Sequence, residues 1–323
     1  MNPDVVAAIA RLETEHVLSA GQAALFERVA RRRLVSVRFE IRTLLYVGIL
    51  LVTSGVGIVV AEHHRDIGAL ATAAAIAVAT VACLSWVARH DAPFSWGEVE
   101  SPHAAFDYVL LLGLMLFATE LAYVETQFTV LGPRWPHHLL IVAVVYLLAA
   151  YRWDSRTVLG LGLSTLAAWR GLSIGLARGA LAPRVAGDLR ADAIALGALY
   201  VIAAVLSVGL ARKARFEEVF ATAGLLLLLG GLVSGVLDER LAWGSWLIAL
   251  LAVSAGVMWV AFRFARSLYF AAAVAAAYIG LVHLLFRLFP RGSQESIAFL
   301  LTALLGAAGL ALIVRAHRVM VRR

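Results

Sequence analysis

The sequence contains very little cysteine, lysine or charge of either sign. Cys83 is the only cysteine, which excludes an intrachain disulfide and a cysteine-ligated metal cluster. Lys213 is the only lysine among 28 Lys and Arg residues. Charged residues make up 15% and hydrophobic residues 62% of the 323 positions, and the mean hydropathy is +0.87. A soluble core could not bury this apolar fraction, so the composition indicates a multi-span membrane protein.

Proline is also scarce and is kept out of the apolar runs. All seven prolines lie outside these runs or at their edges, whereas many secondary transporters interrupt their helices at the substrate site. The sequence contains no phosphate-binding loop, nucleophile elbow, H-E-x-x-H helix or dinucleotide fingerprint. These absences argue against an enzyme, and we predict no cofactor. Two glycine pairs, Gly171 with Gly175 and Gly231 with Gly235, have the four-residue spacing that allows helices to pack closely.

An arginine collar precedes the first long apolar run, residues 43–61. The collar consists of Arg31, Arg32, Arg33, Arg38 and Arg42. The 19 residues of the run rise about 28 Å as a helix, enough to cross a hydrocarbon core of about 30 Å. Arginines beside a span are retained in the cytoplasm, so the collar predicts a crossing from inside to outside. Basic residues beside spans favour anionic membrane lipids as partners, and we predict no nucleic acid.

Nine further spans follow the first. They are residues 67–88, 107–124, 135–152, 157–177, 193–211, 219–237, 241–262, 267–286 and 296–314. With ten spans, 19 Arg and Lys residues fall in segments predicted to be cytoplasmic and 8 in external segments. Deleting the fourth span changes this division to 14 and 13, which removes the bias, so we retain ten spans. Both termini are then predicted to be cytoplasmic.

Residues 1–42 are predicted to form an amphipathic helical hairpin at the cytoplasmic membrane surface. They have no apolar core of the kind found in signal peptides. Ser19 and Gln22 have the spacing of a helix capping box. The hairpin either lies against the membrane or the cytoplasmic ends of the spans, or docks a protein partner, including a second copy of the chain. Residues 43–314 form the membrane domain, and residues 315–323 form a basic tail at anionic headgroups.

Three ionisable side chains are predicted to lie inside spans. Glu120, Arg170 and His283 fall about 18, 20 and 24 Å from the inner side at 1.5 Å per residue, so they share the outer half of the membrane. Charged groups at such depths normally pair or face a wet cavity. We predict that Glu120 pairs with Arg170 beside Trp169. The pair is either a structural contact that sets helix register or part of a ligand-binding site that includes His283.

Histidine pairs occur in two loops that are predicted to be external. His63 and His64 follow the first span, and His137 and His138 follow Pro136 in the second external loop, where the fourth span begins at about residue 135. Neighbouring histidines with nearby acids form a weak candidate for zinc binding or pH sensing, because their spacing is not that of a helical zinc site. Solvated loop residues are the simpler interpretation.

The N-terminal part resembles a bacterial membrane-protein family, domain of unknown function 2157. The resemblance rests on Leu18-Ser19 with Gln22-Ala23, the arginine collar, Gly48 and Gly55, and a first span that ends at Ala61-Glu62. It covers roughly residues 10–125. The family often has Asn-Trp after the first span, where this chain has Glu62-His63. The resemblance implies a helical hairpin ahead of many membrane helices in a bacterial inner membrane, and it implies no activity.

The sequence thus predicts an all-α polytopic bundle of about ten spans preceded by a helical hairpin. Two functions remain open. In the first, a polar pocket in the outer half of the membrane binds or transports a small polar or lipid-headgroup ligand. In the second, the protein is a non-enzymatic scaffold or assembly subunit whose polar groups are structural. A cavity that reaches Glu120 and Arg170 would favour the first function, and a solid bundle would favour the second.

Overall fold

The computed structural model describes residues 68–97, 99, 104–178, 185–210, 212–238, 242–289 and 295–321, and before these only separate residues between 11 and 58. Backbone contacts divide the chain into two units, Met1–Gly68 and Ala69–Arg323.

The first unit contains the predicted capping box. The Ser19 backbone N–H donates to Gln22 Oε1 at 3.0 Å, and the Gln22 N–H donates to Ser19 Oγ at 3.3 Å. This reciprocal bonding satisfies two backbone donors that a helix start leaves free, so the capping prediction is confirmed. The described residues between 44 and 58 are all helical, in agreement with the first predicted span. The arginine collar lies outside the described residues.

In the second unit, nine helices of 17 residues or more occupy the described ranges. They are α1 (Ala69–Arg89), α2 (Ala104–Phe128), α3 (His137–Trp153), α4 (Arg156–Arg178), α5 (Val185–Gly209), α6 (Glu217–Leu237), α7 (Trp243–Arg263), α8 (Ser267–Leu288) and α9 (Glu295–Val321). Short 3-10 turns precede α3 and α6. Residues 68–321 contain no strand where the structure describes them.

Every predicted span after the first coincides with one of these helices. Eight helices are long and apolar enough to cross a membrane, and α3 is the shorter apolar one. The 17 residues of α3 rise about 25 Å, so the shortest of these helices also comes close to the hydrocarbon thickness. The all-α polytopic bundle predicted from the sequence is therefore confirmed.

Neighbouring helices run antiparallel, and two of them approach closely through glycine. A Cβ on Gly197 of α5 would lie 2.6 Å from the Leu228 backbone nitrogen of α6, and one on Gly231 would lie 2.7 Å from the Ile194 side chain. As residue numbers fall along α5, those of its contacts on α6 rise. A Cβ on Gly235 would lie 2.5 Å from the Trp246 ring of α7, whereas one on Gly171 would meet nothing nearer than 3.8 Å. The four-residue spacing therefore marks a close contact in α6, and Gly171 has room to spare.

Antiparallel helices give this bundle two ends, which we name after one residue at each. The Lys213 end holds the last residues of α1, α3, α5 and α7, and the Arg170 end holds the first residues of α3, α5 and α7. Tryptophans are divided evenly between the ends. Trp86, Trp96, Trp153 and Trp259 lie toward the Lys213 end, and Trp135, Trp169, Trp243 and Trp246 lie toward the Arg170 end. Two tryptophan belts are typical of the two interfaces of a membrane protein.

Candidate functional site

Arg170 pairs with Asp192, so the predicted pairing with Glu120 is wrong. The Arg170 Nε–H donates to Asp192 Oδ1 at 2.9 Å, and an Nη2 group reaches the same oxygen. The Arg170 guanidinium also lies 5.7 Å from the Trp169 ring centroid. The sixth predicted span begins at residue 193, so Asp192 is assigned to the loop before it. In the structure α5 begins at Val185 and includes Asp192. The helix extends further than its apolar run, which is why the sequence pattern missed this partner.

A second ion pair, in which the arginine is buried, joins α5 to the end of α6. The Arg190 Nη2–H donates to Asp238 Oδ2 at 2.7 Å, and its side chain is only 4% exposed. The guanidinium also lies over the Trp246 ring, 5.4 Å from its centroid. Arg190 therefore has a carboxylate on one side and an aromatic face on the other, an arrangement that compensates a desolvated cation.

His283 takes part in a separate contact, on α8. Its ring meets the Trp243 ring edge to face, with centroids 6.1 Å apart, and the Arg287 guanidinium lies 5.8 Å from the same Trp243 ring. The structure places Glu120, Arg170 and His283 on three helices that all point toward the Arg170 end, as predicted. Arg170 contacts Asp192 and Trp169, and His283 contacts Trp243. A ligand-binding site that combines Glu120, Arg170 and His283 stays a prediction.

Glu120 and Trp169 lie at nearly the same depth. The Tyr146 hydroxyl donates to the Leu114 carbonyl oxygen at 3.1 Å, which sets the register of α3 on α2. The His137 and Trp169 rings, 6.2 Å apart, set the register of α4 on α3. At 1.5 Å per residue these contacts place Glu120 and Trp169 within about one helical turn of the same level.

Four buried polar atoms on α2 and α4 have no hydrogen-bond partner. They are Glu120 Oε2 and the Tyr123 hydroxyl on α2, and Trp169 Nε1 and Ser173 Oγ on α4. They comprise a carboxylate acceptor, an indole donor and two hydroxyls. Buried polar groups are normally satisfied, and each exception calls for an explanation such as a ligand or an ordered water.

The candidate metal-binding histidines make backbone contacts where they are described. His137 Nδ1 lies 2.9 Å from the Arg134 carbonyl oxygen, and His138 Nδ1 lies 2.6 Å from the Trp135 carbonyl oxygen. Among the residues that the structure describes, no group of three or more His, Cys, Asp or Glu side chains could hold a metal ion. His63 and His64 lie outside the described residues, so zinc binding by the four histidines stays a prediction.

The Lys213 end carries a charge pair that the sequence analysis did not select. Lys213 Nζ lies 3.5 Å from Asp154 Oδ1, and the two side chains are 1% and 0% exposed. Both residues have left-handed backbone conformations, with φ of 49° and 53°. Two features of the sequence could have indicated this pair. Lys213 is the only lysine, and Asp154 is an acid in the short link between two predicted spans.

A strap, residues 91–97, covers this pair. Asp91 binds the Arg152 guanidinium and lies 3.4 Å from Trp153 Nε1. The Arg212 guanidinium lies 4.9 Å from the Trp96 ring centroid. The loop from Arg89 to Pro102 is thus folded onto the helix ends through charged and aromatic contacts in its described part.

Together the fold and its charged ends define an integral membrane protein of the polytopic all-α class. Residues 10–159 match the family described as predicted membrane protein, DUF2157, which is domain of unknown function 2157. The resemblance inferred from the sequence is confirmed for this segment and extends further than expected, as far as the first turn of α4. No curated protein and no solved structure matches the chain.

A double-mutant cycle tests the corrected pairing. We expect Arg170→Met and Asp192→Asn to be coupled by about 0.5–1 kcal/mol in the free energy of unfolding, because the two side chains share an ion pair. The cycle that combines Arg170→Met with Glu120→Gln is expected to show no coupling. Unfolding is followed by helical circular dichroism in detergent mixtures. Coupling to Glu120 instead of Asp192 would restore the original pairing.

Proposed function

We propose that this protein binds a small polar or lipid-headgroup ligand that carries a positive charge, at Glu120 in the half of the membrane nearer the Arg170 end. The observation that carries the proposal is the buried, unpartnered Glu120 Oε2. An ionised carboxylate at membrane depth is costly unless a cation compensates it. A bound cationic group would supply that compensation.

The neighbouring arginines are not available to compensate the Glu120 carboxylate. Arg170 is bonded to Asp192, and Arg190 is bonded to Asp238. The uncompensated charge at this level is therefore negative, which favours an ammonium-bearing ligand over a phosphate or a carboxylate. The Trp169 indole N–H and the Tyr123 and Ser173 hydroxyls have free hydrogen-bonding capacity for the polar remainder of such a ligand.

We also propose that the protein resides in a bacterial inner membrane with the Lys213 end toward the cytoplasm. The excess of arginine in the segments at that end supports this orientation. The ligand would then enter from the outer half of the membrane. Ethanolamine-type headgroups and free amines share the required chemistry, so the experiment has to separate them.

Binding of two probes to purified protein tests the proposal. We expect a short-chain phosphatidylethanolamine or free ethanolamine to raise the thermal unfolding temperature, and phosphatidylglycerol of equal chain length to have a smaller effect. A response to the lipid alone identifies a headgroup, and a response to ethanolamine alone identifies a soluble amine. Glu120→Gln should weaken the response at least about tenfold in apparent affinity, because the charge that selects the cation is removed.

Glu125→Gln is the matched control, because it removes a carboxylate from the same helix. Glu125 Oε2 accepts a hydrogen bond from the Leu131 N–H at 2.9 Å, so its charge is already engaged. We expect this variant to retain the probe response. If wild-type protein responds to neither amine, or if Glu120→Gln leaves the response unchanged, the polar groups are structural and the scaffold or assembly role takes precedence.

A further inference from the structure

The strap and two helix connections meet at the Lys213–Asp154 pair. The Lys213 backbone N–H donates to the Trp96 carbonyl oxygen at 2.9 Å, and Asp154 Oδ2 accepts from the Val99 N–H at 2.8 Å. Lys213 Nζ also lies 5.6 Å from the centre of the Phe94 ring. Lys213 precedes α6 and Asp154 follows α3, so the pair connects the strap to two separate helical hairpins.

Both members of the pair have a left-handed backbone, and that of Lys213 is strained. A left-handed conformation is tolerated by aspartate but is unfavourable for lysine, which lacks a short side chain that can bond its own backbone. Such conformations persist where the surrounding contacts hold them, and they are concentrated at sites that switch. At Lys213 those contacts are the strap carbonyl and the Asp154 carboxylate.

The pair is also incompletely bonded. Lys213 Nζ and Asp154 Oδ1 are buried and have no hydrogen-bond partner, although they lie within ion-pair distance. A buried ion pair offsets the cost of desolvation only when its remaining donors and acceptors are satisfied. Release of the strap would let water reach both charges and would relax the Lys213 backbone. Two unfavourable contributions therefore oppose the closed arrangement, namely the incompletely bonded buried charges and the left-handed backbone of Lys213.

We propose that the strap is a latch, closed in this structure, which opens at the Lys213 end independently of the rest of the bundle. Opening separates residues 91–97 from Lys213 and Asp154 and exposes both charges to water. The strap contacts link the α1–α2 connection to the two neighbouring hairpins, so the latch controls whether water can enter between these helix ends. This device does not depend on ligand binding at Glu120.

Proteolysis of the strap tests the latch. Phe94 and Trp96 are chymotrypsin sites and are already 46% and 49% exposed, but cleavage requires the surrounding backbone to detach. We expect Lys213→Met and Asp154→Asn to accelerate cleavage after these residues at least about tenfold in detergent, because removal of one partner leaves the other charge buried and unpaired. Fragments are identified by mass spectrometry at a temperature well below global unfolding.

Two further variants separate the charge from the backbone and from general surface effects. Lys213→Gly removes the charge and the backbone strain together. At equal global stability, the strap of this variant should therefore be cleaved more slowly than the strap of Lys213→Met. Arg156→Met removes an exposed ion pair to Glu218, 3.6 Å long, at the same end, and should leave strap cleavage unchanged.

Hydrogen exchange of the wild-type chain measures strap opening without any substitution. The Gly97 and Val99 amides should exchange faster than those of α3 and α6. Their exchange should occur through a local opening whose rate does not depend on denaturant concentration. Cleavage rates that are unchanged in both charge variants, or strap amides that exchange only with global unfolding, would overturn the latch.

Discussion

Replacing Arg190 by methionine is expected to lower the free energy of unfolding by about 3–5 kcal/mol, because the change leaves the Asp238 carboxylate without its buried partner. The Arg190 side chain is only 4% exposed, so water cannot replace the lost guanidinium without disturbing the packing. The Trp246 ring would lose its cation contact at the same time. Denaturant titration in mixed micelles, followed by helical circular dichroism, measures the effect.

The design includes a rescue and a surface control. Adding Asp238→Asn to Arg190→Met removes the carboxylate that Arg190 compensates and should recover more than half of the loss. The Arg156 side chain is 45% exposed and pairs with Glu218, which is 53% exposed, so Arg156→Met should cost less than about 1 kcal/mol. Equal losses for Arg190→Met and Arg156→Met would mean that the α5–α6 pair is not desolvated as the structure indicates.

Replacing Gly197 by alanine is the second large expected effect, about 1–3 kcal/mol of destabilisation. The new methyl group would lie 2.6 Å from the Leu228 backbone nitrogen and 2.8 Å from the Gly224 carbonyl oxygen. Both atoms belong to the backbone of α6, so no side-chain rotation relieves the clash and the helices must separate. Separation also weakens neighbouring contacts, among them the one at Gly231. Thermal unfolding of the purified protein reports the change.

Gly187→Ala on the same helix is the matched control. A Cβ at Gly187 meets nothing within 4 Å. Alanine there costs no packing and favours the helix by up to about 1 kcal/mol, so this variant should be neutral or slightly more stable. A Gly197→Ala protein that unfolds at the wild-type temperature would contradict the close α5–α6 contact.

Helix positions were readable from the sequence because a span is a local property. Twenty or so apolar residues satisfy their own backbone hydrogen bonds as a helix and need no partner to do so. For this reason the predicted limits of α6 and α8 agree with the structure to within two residues. Boundaries failed where polar residues continue a helix beyond its apolar part, as at the start of α5.

The candidate site was only partly predictable, for a related reason. Lys213 and Asp154 lie 59 residues apart in the numbering and belong to two different connections. Hydropathy gives no information about which connections meet. The pair becomes visible only when α3 and α6 are packed, which is also when its burial and its strained backbone appear.

The sequence by itself determined that this chain is a membrane bundle, and it predicts the depth at which Glu120, Arg170 and His283 lie, because hydropathy and helical rise act along the chain. Only the tertiary structure decided that Arg170 binds Asp192 and that Glu120 Oε2 has no partner. Side chains at one depth can point in any direction around their helices. Rotation and neighbour choice, which are set by packing between helices, select the acid that the arginine meets.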